Sequence, residues 1–189
     1  MQTNISPPLI PTDTTSQYQA NISKCKDIFL KKNKDYGTAW RILRLSSITD
    51  QIFIKAQRIR SIEDKGKQLI GDSIASEYIG IINYAVIGLI QLELGNEQKL
   101  ELTAAEVAAH FEKHTLQAYT LMQAKNHDYG EAWRDMRTSS MTDLILMKIL
   151  RIKQIEDNKG ATLISEGIDA NYFDMINYAV FALIKLGES

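Results

Sequence analysis

Two acidic residues near the C-terminal end of the chain, Glu166 and Asp174, have a spacing that suits metal binding. Eight residues are about two turns of a helix, so both carboxylates would lie on one side. Ala170 stands between them and Asn177 follows on the same side. Carboxylates beside apolar residues are able to hold Mg²⁺ through their oxygens. Alternatively, this side is solvated and the asparagine bonds across a helix interface.

An equivalent stretch earlier in the chain has fewer acidic residues at the corresponding positions. The earlier row reads Asp72, Ser76, Gly80 and Asn83. Since Ser76 and Gly80 supply no carboxylate, a solvated face is favoured here over a magnesium site. The candidate metal ligands are therefore Glu166, Asp174 and Asp72, with Mg²⁺ as the expected cofactor.

A lysine interrupts an apolar helical stripe twice, as Lys55 and as Lys148. A buried ammonium group needs a partner, which would be a carboxylate. Alternatively, the stem packs against apolar neighbours while the head reaches water. Arg58 and Arg151 follow the lysines by three residues, and such cations together are able to grip a phosphate. The two lysines join Glu166 and Asp174 as candidate catalytic residues.

The decapeptide KNKDYGTAWR at 32–41 returns as KNHDYGEAWR at 125–134. An aromatic ring beside arginines is able to stack on a base and hold phosphate. The structural alternative places the tryptophan in a corner between helices and the arginines at helix ends. The candidate nucleotide- or phosphate-binding residues are Asp35, Tyr36, Trp40, Arg41, Arg44, Arg58, Asn83, Asp128, Tyr129, Trp133, Arg134, Arg137, Arg151 and Asn177.

His110 and His114 have the i,i+4 spacing of two metal ligands on a helix. The first copy has Gln17 and Asn21 at these positions, and no third ligand is near in the sequence. A zinc site needs three or four ligands, so the sequence does not predict one here.

Both decapeptides belong to a much longer repeat. The offset between the copies is 93 residues up to Asp157 and 94 afterwards, since Asn158 is one extra residue. The match continues to INYAVIGLIQL at 82–92 and INYAVFALIKL at 176–186. Self-similarity of this length indicates a duplicated structural unit. Any site in the unit was duplicated with it.

The apolar residues recur mostly with a 3.6-residue period, which predicts helices. All three prolines lie within the first eleven residues, so none interrupts a helix further on. The predicted helices are A at 15–33 and 104–126, B from Ser47 and from Ser140, and C at 67–93 and 161–186. Capping boxes are expected at Thr103–Glu106, Ser47–Asp50 and Ser140–Asp143. The prediction is an all-α, six-helix bundle of two tandem three-helix repeats with internal pseudo-twofold symmetry.

The expected organisation is a loose lead-in, two repeat units and a linker, with the units packed as one globular domain. The ranges are 1–13 for the lead-in, 14–94 for the first unit, 95–102 for the linker and 103–189 for the second unit.

The bulk properties exclude several functions. A net charge of −1 argues against non-specific nucleic-acid binding. The single cysteine, Cys25, fits a reducing compartment. No signal peptide is evident, and apolar runs such as 79–90 are broken by polar residues and too short to span a bilayer. We expect a cytoplasmic protein without membrane partners.

The motifs K-N-x-D-Y-G and N-Y-A, with Asp50, Lys55 and Arg58 between them, resemble the nucleotide modification associated domain 1 family. The resemblance covers nearly the whole chain, twice. It implies a link to nucleotide or DNA-base modification. The last helix of that family is similar to the metal-binding helix of MazG-type all-α nucleoside triphosphate pyrophosphohydrolases. Both copies in this chain depart from that helix. The second copy has Ala170, and the first has Ser76 and Gly80, at positions where the family has other residues.

Two functional hypotheses follow from the resemblance and the residues. In the first, Glu166 and Asp174 hold Mg²⁺, the basic residues hold phosphates, and a metal-held water releases pyrophosphate. In the second, the chain is a non-catalytic helical module that senses nucleotides or binds proteins, with a decayed site. The expected partner is a nucleotide or another small phosphorylated molecule, and a homodimer is possible on either hypothesis.

Overall fold

The computed structural model describes residues 13–66, 71–95, 100–159 and 167–188. Glu166, most of the expected lead-in, linker residues 96–99 and the predicted starts of both C helices lie outside these ranges. The helices are α1 Thr14–Tyr36, α2 Leu45–Lys65, α3 Ile74–Leu94, α4 Ala104–Tyr129, α5 Thr138–Asp157 and α6 Ile168–Glu188, with single 3₁₀ turns at Ala39–Ile42 and Ala132–Asp135. The described residues contain no strand, so the all-α prediction is confirmed.

The helices pack in two equivalent sets. Within each repeat, α2 packs on α3 and α5 packs on α6. Each helix also contacts its counterpart, since α1 touches α4, α2 touches α5 and α3 touches α6. This pattern is what a pseudo-twofold axis through the bundle produces. The prediction of a six-helix bundle from two tandem repeats is confirmed.

The central helices α3 and α6 are buried on nearly every side. Ile81, Ala85 and Leu89 share one face and are buried, but so are residues on other faces such as Ile82 and Val86. The reason is that α3 lies between α2 and α6 and also touches α1 and α4. The face that carries Ser76, Gly80 and Asn83 is therefore only partly solvated. Asn83 donates across the helix interface to the carbonyl of Cys25, as that alternative expected.

Helix α3 is long and apolar enough to cross a membrane, by length and composition alone. Its mean hydropathy is 1.3 over the most apolar stretch, of which 61% is buried within the protein. The sequence-based expectation that the apolar runs are too short therefore underrated this helix. Its burial against α2 and α6 accounts for the same composition, because a core helix meets apolar neighbours all round.

The helix starts were predicted with mixed success. The capping box of Thr103 and Glu106 at the start of α4 is confirmed. The boxes at Ser47 and Ser140 were wrong, because α2 and α5 begin earlier and these two N–H groups donate to the carbonyls of Arg44 and Arg137. The acids assigned to those boxes form ion pairs between the repeats. The pairs are Asp50 with Lys153 and Asp143 with Arg60.

Two matching hydroxyl networks join the repeats inside the bundle. The hydroxyl of Tyr78 lies 2.7 Å from the Thr142 hydroxyl, which donates to Glu63. The counterpart network joins Tyr172 to Thr49 at 3.0 Å, and Thr49 donates to Glu156. Burial raises the pKa of both glutamates, although each threonine hydrogen bond opposes the shift. Both networks satisfy polar groups that the interface would otherwise bury unpaired.

Replacing Tyr78 or Tyr172 by Phe is expected to lower the free energy of unfolding by about 0.5–1.5 kcal/mol in each case. Each change removes one buried hydrogen bond while keeping the packed ring. Urea denaturation measures the effect, and Tyr129→Phe is the control because that ring is 74% exposed. Clearly unequal losses in the two repeats would contradict the symmetry of the interface.

Candidate functional site

The two mid-stripe lysines are both held by carboxylates, as one of the two sequence interpretations required. In the second repeat, Lys148 lies 2.7 Å from one oxygen of Asp174. Lys125 of α4 donates to the other oxygen of Asp174 at 2.6 Å. The Asp174 side chain is only 5% exposed. This buried acid therefore has each of its oxygens paired with an ammonium group.

The first repeat holds its lysine in a different way. Lys55 lies 3.2 Å from Glu77, which also accepts from Arg58. Gly80 stands where the second repeat has Asp174. A Cβ atom added at Gly80 would lie 2.7 Å from Cε of Lys55. Because Gly80 has no side chain, Lys55 extends across this position and its ammonium group reaches Glu77, one helical turn earlier on α3.

Because Gly80 replaces the aspartate, Lys32 has no carboxylate partner among the described residues. Lys32 of α1 is the counterpart of Lys125, and the carboxylate that Lys125 contacts is absent at Gly80. Lys32 makes no hydrogen bond or ion pair with any residue in the ranges that the structure describes. Its ammonium group is therefore available to an anion from solution.

Lys32 and Lys55 both border a cavity of about 390 Å³ in the first repeat. Helices α1 and α3, the 3₁₀ turn and Lys55 of α2 form its walls. The lining residues are Ile28, Phe29, Lys32, Asn33, Tyr36, Gly37, Ala39, Trp40, Leu43, Lys55, Ser76, Ile79, Gly80, Asn83, Tyr84 and Ile87. None of these is acidic, and the size falls within the range of small-molecule sites. The cavity is therefore apolar and aromatic with two cations at its wall.

The two tryptophans of the repeated decapeptide have different roles. Trp133 is buried and stacks on Phe181, with ring centroids 4.2 Å apart and planes 3° apart. In the first repeat Ile87 replaces Phe181, and both Ile87 and Trp40 line the cavity. Trp133 thus plugs an inter-helix corner, as the structural alternative expected. Trp40 instead borders open space where a flat ring is able to stack.

Two asparagines of the cavity wall have buried amide oxygens without a partner in the described part of the chain, Asn33 and Asn83. In the second repeat, Asn177 accepts a hydrogen bond from the Tyr18 hydroxyl at 2.7 Å. The residue corresponding to Tyr18 is Phe111, which has no hydroxyl to offer Asn83. Buried polar atoms rarely stay unpaired, so a bound molecule with N–H or O–H groups suits this wall.

The arginines of the decapeptide do not converge on the cavity. Arg41 is buried and donates to Gln91 of α3. Arg134 lies over the Trp133 ring and donates to Thr14 and Gln17 at the start of α1, at 2.7 Å each. Both guanidinium groups therefore join elements of the fold, which is the kind of role that the structural alternative gave to the arginines.

The remaining predicted residues are dispersed. Asp72 is exposed and precedes α3, where its backbone carbonyl accepts from Arg58 at 2.9 Å, so it does not share a helix face with Asn83. Arg151 of α5 donates to Gln154 at 3.3 Å. The exposed residues of the set are Asp35, Tyr36, Arg44, Asp128, Tyr129 and Arg137. Of these, Tyr36 alone lines the cavity.

Several residues of the site were missed by the sequence-based prediction. Lys32, Asn33, Tyr84 and Glu77 are absent from the predicted set, although Lys32 and Asn33 lie within the decapeptide. The available signal was the difference between the copies at Gly80 and Asp174. The sequence-based interpretation took Gly80 as a lost metal ligand. In the structure, the difference instead gives Lys125 a carboxylate partner that Lys32 lacks among the described residues.

The helices and this cavity define an all-α tandem-repeat protein whose first repeat presents a cationic, aromatic-lined pocket. The chain belongs to the nucleotide modification associated domain 1 family, whose profile matches residues 32–92 and again residues 125–186. The two matches confirm the family and its duplication. No curated protein and no solved structure is significantly similar to the chain. A relationship to MazG-type enzymes therefore stays a prediction.

Replacing Asp174 by Asn is expected to lower the free energy of unfolding by about 2–3 kcal/mol, because two lysines then lose their carboxylate. Asp50→Asn is the matched control, since its pair with Lys153 is largely exposed and contributes less than about 1 kcal/mol. Urea denaturation at neutral pH compares them. An unchanged or more stable Asp174→Asn protein would show that this acid is not structural.

Proposed function

We propose that the protein binds a nucleotide, or a closely similar phosphorylated molecule, in the cavity of its first repeat. The observation that carries this proposal is Lys32, whose ammonium group has no acid partner among the described residues. It lies beside Lys55 in a cavity whose described lining contains no acid. Membership in a nucleotide modification associated family supports a nucleotide over other anions.

The cavity offers different groups to different parts of a nucleotide. The phosphate is placed at Lys32 and Lys55, where charge-assisted hydrogen bonds form. The base is placed against Trp40, whose ring lacks the stacking partner that Phe181 provides in the second repeat. The amide groups of Asn33 and Asn83, whose oxygens are buried and unpaired, would turn toward the cavity to bind the base or sugar. Each group of the ligand thereby meets a complementary group of the wall.

Binding without hydrolysis is the function we favour. Hydrolysis would require Asp174 to hold Mg²⁺ with Glu166, which lies outside the described residues. Both oxygens of Asp174 already accept from Lys125 and Lys148, so a metal ion would have to displace two ammonium groups. At the corresponding position the first repeat has Gly80, which supplies no ligand. These contacts favour a nucleotide sensor or carrier over a pyrophosphohydrolase.

Thermal melts against a panel of ribo- and deoxyribonucleotides, with and without Mg²⁺, test the proposal. A ligand present at a hundred times its Kd is expected to stabilise the protein by about 2.7 kcal/mol. Pyrophosphate is assayed in the same wells. Stabilisation without pyrophosphate supports binding alone, whereas Mg²⁺-dependent release of pyrophosphate would overturn the non-catalytic account.

Two variants locate the binding site. Gly80→Asp recreates the acid of the second repeat, so it is expected to pair with Lys32, add a second acid beside Lys55 and abolish ligand stabilisation. Lys32→Gln is expected to weaken binding about tenfold or more, since one charge-assisted hydrogen bond is lost. Lys31→Gln is the control, because Lys31 has the same charge, pairs with Asp27 and lies outside the cavity. Equal weakening by Lys31→Gln would mean that overall charge, not this cavity, attracts the ligand.

A further inference from the structure

Three metal-binding side chains meet where the two repeats join. Glu93 lies in the last turn of α3, and His110 and His114 lie one turn apart on α4. One Glu93 oxygen is 3.2 Å from Nδ1 of His110 and 2.8 Å from Nε2 of His114. The three ligand atoms lie within 4.8 Å of one another. The third ligand that the sequence lacked is therefore supplied by the other repeat.

We propose that Glu93, His110 and His114 form a Zn²⁺ site that ties the first repeat to the second. Two imidazoles and one carboxylate are a donor set that zinc takes with a fourth position left to water.

The spacing of the ligand atoms suits this ion. In a tetrahedral zinc site, ligand atoms about 2.0–2.2 Å from the metal are about 3.3–3.6 Å from each other. The separations of 3.2 and 2.8 Å need only a small opening to admit the ion. Nε2 of the buried His114 is close to Glu93 but has no properly aligned hydrogen bond. A buried nitrogen aimed at a carboxylate without a hydrogen bond is a position that a metal would satisfy.

The neighbouring residues orient two of the ligands. Nδ1 of His114 lies 3.1 Å from the Gln117 side-chain oxygen, which in the proposed site would accept a hydrogen from Nδ1 and leave the lone pair of Nε2 for the metal. Lys113 contacts one oxygen of Glu93 and leaves the other to face both imidazoles.

Open space lies beside the cluster for the fourth ligand. A second cavity, of about 510 Å³, is lined by Glu93, His114, Lys113, Gln117 and residues of α6. The counterparts of the three ligands in the other half are Gln17, Asn21 and Gly187, which cannot form the same site. The proposed site therefore joins α3 of the first repeat to α4 of the second and is not repeated at the symmetry-related positions.

Titration of the metal-free, untagged full chain with Zn²⁺ tests the proposal by calorimetry and by thermal melts. One Zn²⁺ per chain and a melting temperature raised by a few degrees are expected. Co²⁺ in place of Zn²⁺ is expected to give the strong visible absorption of a four-coordinate ion with nitrogen and oxygen ligands. Absence of saturable binding would overturn the proposal.

Four variants assign the ligands. Glu93→Gln and His110→Gln are expected to weaken Zn²⁺ binding more than about a hundredfold, and Gln117→Leu about 10–100-fold. His127→Gln is the control, since His127 is 88% exposed and remote from the cluster. His110 and Gln117 are partly exposed, so these variants are expected to fold even where a change at buried His114 would not. Binding that survives Glu93→Gln and His110→Gln unchanged, or falls equally with His127→Gln, would assign the metal to another place.

Discussion

The need to neutralise a lysine inside an apolar helix face governs much of this structure. Lys55 and Lys148 project from α2 and α5 toward the central helices, where an unpaired ammonium group would be strongly unfavourable. Each repeat therefore places an acid on its central helix, but at different positions. The second repeat uses Asp174, and the first uses Glu77, one turn nearer the helix start. The location of the acid decides whether the space beside the lysine is filled or open.

Duplication provided a symmetric framework in which two asymmetric sites arose. The hydroxyl networks of Tyr78 and Tyr172 and the ion pairs between α2 and α5 are nearly the same in both halves. These contacts hold the repeats together, so a change in one half would weaken the shared interface. The cavity of the first repeat and the cluster around Glu93 include none of the residues of these networks and ion pairs. Their residues were able to diverge without loss of the fold.

The sequence predicted the fold better than the site. Helical periodicity, the absence of proline after Pro11 and the long internal repeat were enough for the six helices. The starts of α2 and α5 were misplaced because Ser47 and Ser140 match a capping box, whereas their N–H groups already donate to the carbonyls of Arg44 and Arg137 inside the first turn of each helix. The partner choices could not be predicted, because Asp174 meets Lys125 and Glu93 meets His114 only after distant helices pack. The spacing of residues along one helix does not show which side chains of other helices will pack against them.

The stoichiometry of nucleotide binding to the intact chain tests the central claim most directly. Calorimetric titration with the most stabilising nucleotide counts the sites without assuming where they lie. Although the chain contains two copies of the unit, the account predicts one site per chain, because only the first repeat combines Lys32, Gly80 and a cavity beside Trp40 in the described residues. Two equivalent sites per chain would contradict it, since the second repeat would then bind despite the ion pairs of Asp174.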